Sequence, residues 1–98
     1  MEQHLRQLAD IALARCPQQF EQVRVEAELD TGYSEIALHC VAKGQDHHIT
    51  GFPPEASFGM HLSLDDIREE MARQSGQRWT RCVFRIFPDQ SFKFDVTY

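Results

Sequence analysis

Apolar positions along this 98-residue chain repeat with two different periods. The period of two is clearest at the C-terminal end. There, Trp79 to Phe87 and Phe92 to Tyr98 flank a Pro88-Asp89-Gln90 turn, and Phe92, Phe94, Val96 and Tyr98 alternate with Lys93, Asp95 and Thr97. Successive side chains of a strand point to opposite faces, so one set faces a core and the other faces water. A closing hairpin is predicted. The same alternation predicts a strand over residues 20–29, with Val23, Val25, Ala27 and Leu29 inward and Arg24, Glu26 and Glu28 outward. Asp30-Thr31-Gly32 reads as a turn, and Tyr33–Ala42 as the returning strand. Lys43-Gly44-Gln45-Asp46 reads as a second turn before a short strand near His47–Phe52.

The helical period marks two other segments. Leu5, Leu8, Ala9, Ala12 and Cys16 form one stripe, which predicts a helix over residues 2–15 stopped by Pro17. Gly51 to Gly59, with Pro53-Pro54 inside it, reads as an irregular loop, because paired prolines cannot donate to a ladder. Ser63 then reads as an N-cap with Asp65 and Asp66 in the first turn. Leu64, Ile67 and Met71 supply the apolar stripe of a helix of about three turns, ended by Gly76. The expected architecture is one α+β domain over residues 1–98, with a mostly antiparallel sheet of four to five strands and two helices packed on one face.

Composition narrows the class. With 42% hydrophobic and 26% charged residues, the chain has what an ordered globular domain needs. It contains no apolar run long enough to span a bilayer and no apolar N-terminal signal segment, so no membrane association and a cytoplasmic location are expected. Three widely spaced cysteines, Cys16, Cys40 and Cys82, suit buried reduced thiols better than a disulfide framework.

The net charge of −5 conceals an asymmetry: residues 21–70 hold eleven acidic side chains against Arg24, Lys43 and Arg68. Such a field repels phosphate backbones and attracts basic proteins, so direct nucleic-acid binding is disfavoured. Glu26 and Glu28 share a strand face, while Asp65, Asp66, Glu69 and Glu70 crowd one helix. These acids read either as a solvated face or as a protein-binding surface. Trp79 reads as core. Phe58 suits either the core or an exposed anchor in an interface.

Catalytic signals are sparse. A zinc site needs three or four converging donors, and the chain has no Cys-x-x-Cys or His-x-x-x-His spacing. Neighbouring His47 and His48 diverge on a strand. Cys40 shares the parity of Ile36 and Leu38, as a packed, inert thiol would. There is no glycine-rich phosphate loop and no recognisable Ser-His-Asp spacing.

Several segments carry a family likeness. They are Cys16-Pro17-Gln18-Gln19-Phe20 after the first helix, Val25-Glu26-Ala27-Glu28 in the first strand, Trp79-Thr80, and the closing Phe92-Lys93-Phe94-Asp95-Val96-Thr97-Tyr98. In these the chain resembles the YezG-like immunity proteins, antitoxins of bacterial polymorphic toxin and contact-dependent inhibition systems. The resemblance implies an α+β fold and a stoichiometric, non-enzymatic inhibitor of one cognate toxin domain, without a cofactor. Joined to the charge map, it points to a basic toxin, such as a nuclease, bound by a monomer through Glu26, Glu28, Phe58, Asp65, Asp66, Glu69 and Glu70. Two alternatives stand beside it. One is a small metal-dependent or histidine-using enzyme built on His39, His47, His48 or His61. The other is a homo-oligomeric adaptor pairing through a strand edge.

Overall fold

A computed structural model describes residues 1–30 and 33–98. Its elements are α1 (Glu2–Leu13), β1 (Gln22–Asp30), β2 (Tyr33–Ala42), β3 (Gln45–Ile49), α2 (Pro54–Ser75), β4 (Arg81–Ile86) and β5 (Phe92–Thr97). The strands form one sheet in the order β3-β2-β1-β4-β5, and every neighbouring pair is antiparallel. This is the expected α+β class, with five strands and two helices. Thr31 and Gly32 of the predicted first turn lie outside the described residues.

Strand parity builds the core. Val23, Val25 and Ala27 of β1 pair across the sheet with Cys40, Leu38 and Ile36 of β2 and with Ile86, Phe84 and Cys82 of β4, and Leu29, in register with Ser34, extends the same buried face. Leu8, Ala9 and Ala12 of α1 and Met60, Leu64 and Ile67 of α2 complete the same buried cluster, so both helices cover one face. Trp79, just before β4, is fully buried and meets the Phe94 ring edge-on at 5.8 Å. Each large side chain buried in this way contributes about 1.5–3 kcal/mol. The Trp79 indole nitrogen has no hydrogen-bond partner among the described residues, which offsets part of its own contribution.

The β2–β3 connection is tighter than the predicted turn of four residues. Lys43 and Gly44 alone make it, at φ of 53° and 73°, the left-handed pair of a two-residue hairpin turn. At the β4–β5 turn Gln90 also sits at positive φ, while the Asp89 carboxylate accepts from the backbone N–H and hydroxyl of Ser91. That local acceptor fixes the bend.

Two expectations are corrected. The loop predicted to run to Gly59 and the N-cap at Ser63 do not exist, because α2 starts at Pro54 and runs 22 residues to Ser75. Pro53 is the N-cap, Pro54 occupies the first turn where a missing N–H costs nothing, and Glu55 is the acid there. Ser63 is buried within the helix and Asp65 and Asp66 lie mid-helix. Gly59 is helical for a packing reason: a Cβ there would come within 2.9 Å of Ile11 Cδ1 on α1. The end at Gly76 is as expected, with φ of 80°.

The second correction concerns the cysteines. Cys16 and Cys40 form a disulfide that ties the chain just after α1 to the core face of β2, across a sequence separation of 24. Only Cys82 is a free thiol; burial pushes its pKa up to about 12, so it is unreactive in the folded state. Among the described residues no helix is long and apolar enough to cross a membrane.

A loop of this length gives a disulfide worth roughly 3 kcal/mol through the unfolded state. Cys16→Ser with Cys40→Ser should therefore lower unfolding stability by roughly that amount in urea titrations followed by Trp79 fluorescence. Alkylation of the denatured oxidised protein should modify Cys82 alone, and all three cysteines only after reduction. An unchanged urea midpoint in the double variant would show that the bond does not brace the fold.

Candidate interaction surface

The seven residues singled out from the sequence do not share one surface. Glu26 and Glu28 alternate with the core residues of β1, so they stand on the sheet face opposite the helices. Phe58, Asp65, Asp66, Glu69 and Glu70 belong to α2 on the helical side. A single acidic face formed by both groups is not present.

The open sheet face is internally compensated. Arg24 donates to Glu26 at 2.8 Å and to Asp46 at 2.7 Å. His39 meets Asp46 at 3.0 Å through Nδ1 and lies 3.5 Å from Glu26 through Nε2, while its ring stacks on His48. Arg81 lies 3.4 Å from Glu28, and Arg85 donates to Asp95 at 3.1 Å. Strand register explains the pairing: Arg24 stands between His39 and Arg85, and the row beside it holds Glu26, flanked by Ala37 and Val83. Opposite charges in adjacent rows cancel at long range and leave a mixed polar surface.

The helical acids are compensated unevenly. Glu69 accepts both Nε and Nη2 of Arg78, at 2.7 and 2.8 Å. Glu70 accepts the N-terminal amine at 3.0 Å. Asp66 has only His4, at 3.7 Å, and Asp65 makes no hydrogen bond or ion pair among the described residues. The α2 carboxylates without a hydrogen-bonded cation among the described residues are therefore Glu55, Asp65 and Asp66, the last two adjacent.

Beside those two acids lies an apolar feature that the sequence reading caught only in part. Phe58 is 64% exposed and Leu62 is 49% exposed. They are one turn apart, and Asp65 and Glu69 continue the same outward ridge at helical spacing. The rest of the apolar stripe of α2, Met60, Leu64 and Ile67, is buried. Leu62 was hidden from the sequence reading by the misplaced helix start. Its spacing of four from Phe58 was the signal that could have found it.

The histidines do not converge. His39 and His48 stack on the open face, His47 pairs with Cys40 in register and so points to the other face, and His61 meets Ser34 Oγ at 2.8 Å. Among the described residues, no carboxylate hydrogen-bonds His61 to orient it as a base, and no three His, Cys, Asp or Glu side chains are placed to hold a metal. No protein-family model matches the chain, and no characterised protein matches it significantly.

The carboxylates respond to acid in one direction. The hydrogen bond from Arg24 holds Asp46 below its ordinary range; Arg78 does the same for Glu69, and the N-terminal amine for Glu70. A carboxylate lowered by folding stabilises the fold fully above its unfolded value and loses that contribution as pH falls through its folded value. Stability should therefore decline below about pH 4.5. Arg24→Met should be less stable than the parent at pH 7, and the gap should be much smaller at about pH 2, because the lowered Asp46 carboxylate takes up its proton as pH falls through its folded value. A gap of equal size at both pH values in urea titrations would mean that Arg24 acts by packing rather than by charge.

Proposed function

We propose that this chain is a non-enzymatic immunity protein that binds and neutralises a cognate bacterial toxin domain, presenting α2 to a basic surface on it. The observation that carries the reading is the exposed Phe58–Leu62 pair beside Asp65 and Asp66. Two large apolar side chains on one helical ridge have no use in water, and they match the makeup of an interface core with a charged rim. The motif resemblance supplies the kind of partner. A nuclease toxin fits the chemistry, since a groove built for phosphate also accepts an acidic helix. The inhibitor acts as a monomer in a one-to-one complex, needs no cofactor and touches no nucleic acid. Glu26 and Glu28 are left out of this interface because they face away from α2.

The place of action is the cytoplasm in this reading. Cytoplasmic thiol buffers keep cysteine pairs reduced. Protein quenched in acid from intact producing cells and then alkylated should thus carry three modified cysteines. A single modified cysteine, with Cys16–Cys40 intact in the cell, would move the site of action to an oxidising compartment.

The main reading expects a toxin domain encoded beside this chain, and binding to that domain tests it. Growth should be restored on co-expression, and the purified domain should be inhibited at one equivalent. Phe58→Ala should weaken binding about tenfold or more, as loss of an interface anchor does. Asp65→Asn with Asp66→Asn should slow association several-fold and flatten its salt dependence, whereas Glu26→Gln with Glu28→Gln should leave both unchanged. A toxin domain that neither complexes with the chain nor loses activity in its presence rules the proposal out.

A further inference from the structure

α1 and α2 run antiparallel, since Met1 pairs with Glu70 while Ile11 meets Gly59. Along their outer seam lie two shallow hollows of about 560 and 460 Å³ that share Asp10 and Ile11. Their floor is made of small or flat apolar groups: Ile11 and Ala14 from α1, Ala56 and Gly59 from α2. Gly59 keeps the floor low, because its missing Cβ is what lets Ile11 lie against the α2 backbone. Leu62 forms one wall of the second hollow. Three acids, Asp10, Glu55 and Asp66, stand along the rim against one basic side chain, Arg15. Neither Asp10 nor Glu55 forms an ion pair among the described residues. From Glu55 to Asp66 the rim runs along about 16 Å of helix, or three turns.

We propose that this seam is the docking groove for an amphipathic helix of about three turns on the partner, with lysines or arginines flanking its apolar stripe. The inference rests on the binding reading above and names the part of the partner that is recognised. Both walls are helices whose backbone groups are already bonded internally, so they offer an extended peptide no ladder to join. A helix brings its own backbone satisfied and needs only a trough for its apolar face. The low floor admits leucine-sized side chains, and the acidic rim selects cationic flanks over anionic ones. Bound there, the incoming helix would become a third member of the helical layer, covering Leu62.

Two hydrocarbon-stapled helical probe peptides of three to four turns test this. Each carries leucines at positions one, four, five and eight; one has lysine flanks and the other glutamate flanks. Titrated into the ¹⁵N-labelled chain, the lysine peptide should shift the amides of Asp10, Ile11, Ala14, Gly59 and Leu62, and the glutamate peptide should shift none of them. Neutralising the rim (Asp10→Asn, Glu55→Gln and Asp66→Asn together) should weaken the lysine peptide about tenfold. Ala14→Arg, at an exposed site, should block it without unfolding the chain. Equal response to both peptides, shifts confined to the open sheet face or a sheet edge, or no shift at millimolar peptide overturns the groove. So does a concentration-dependent shift of the same amides without peptide, which would make the occupant a second copy. The two proposals can fail separately. A toxin domain still bound one-to-one, weakened by Phe58→Ala but indifferent to Ala14→Arg, would remove the groove and leave the binding reading in place.

Discussion

β1 carries the constraint on which the rest depends. It is hydrogen-bonded along both edges, to β2 and β4, and its four core-facing side chains are the floor on which both helices rest. Once Val23, Val25, Ala27 and Leu29 are committed to that floor, the backbone pleat sends Arg24, Glu26 and Glu28 to the far side. A slip of one residue would bury three charges and expose four apolar groups. The division of charge between sheet and helices is thus a by-product of the force that drives folding. It also explains why acids that are close in sequence composition end up with unlike neighbours: those on the sheet reach arginines and histidines mostly in adjacent rows, whereas those on α2 draw on the N-terminal residues, on Arg78 and on the arginines of α2 itself.

Strands were legible because their signal is strictly local. The bounds of β2 followed from alternation between two turn signals, and the closing hairpin from Phe92, Phe94 and Val96 against Lys93 and Asp95; β3, expected near His47–Phe52, instead runs Gln45–Ile49 because the turn before it takes only Lys43 and Gly44. The first helix was legible for the same reason, two residues too long at its end. The first ten residues of α2 were not. Two prolines and a glycine each read locally as breakers, yet Pro54 sits where a helix tolerates it, and Gly59 sits where α1 leaves no room for a side chain. The second fact is tertiary, and no window of sequence contains it. The Cys16–Cys40 bond is of the same kind, because it exists only once the end of the α1 segment has been carried over β2.

Much of the candidate surface was hidden by that one helix boundary. Phe58 was recognisable as a possible anchor, but its companion Leu62 becomes visible only when both stand on one ridge. Charge counting found the acids and could not tell which were spent. Glu69 and Glu70 are matched by Arg78 and by the amine of Met1, while Glu55, Asp65 and Asp66 have no hydrogen-bonded cation among the described residues. Pairing depends on which loops return to the helix, and that is decided by topology rather than by composition.

In the oxidised protein the position of the disulfide gives α1 two unequal ends. Its last turn leads into a covalent bond with β2, whereas Met1, His4 and Arg6 hold the first turns through surface contacts with Glu70, Asp66 and the Phe92 ring. Local opening should therefore begin at the amino end and swing about Cys16, like a door on a welded hinge. The seam between the helices would keep a constant width near Arg15 and Glu55 and could breathe near Gln7 and Asp66. In amide hydrogen exchange α1 would then appear as a gradient of protection rather than as one cooperative unit.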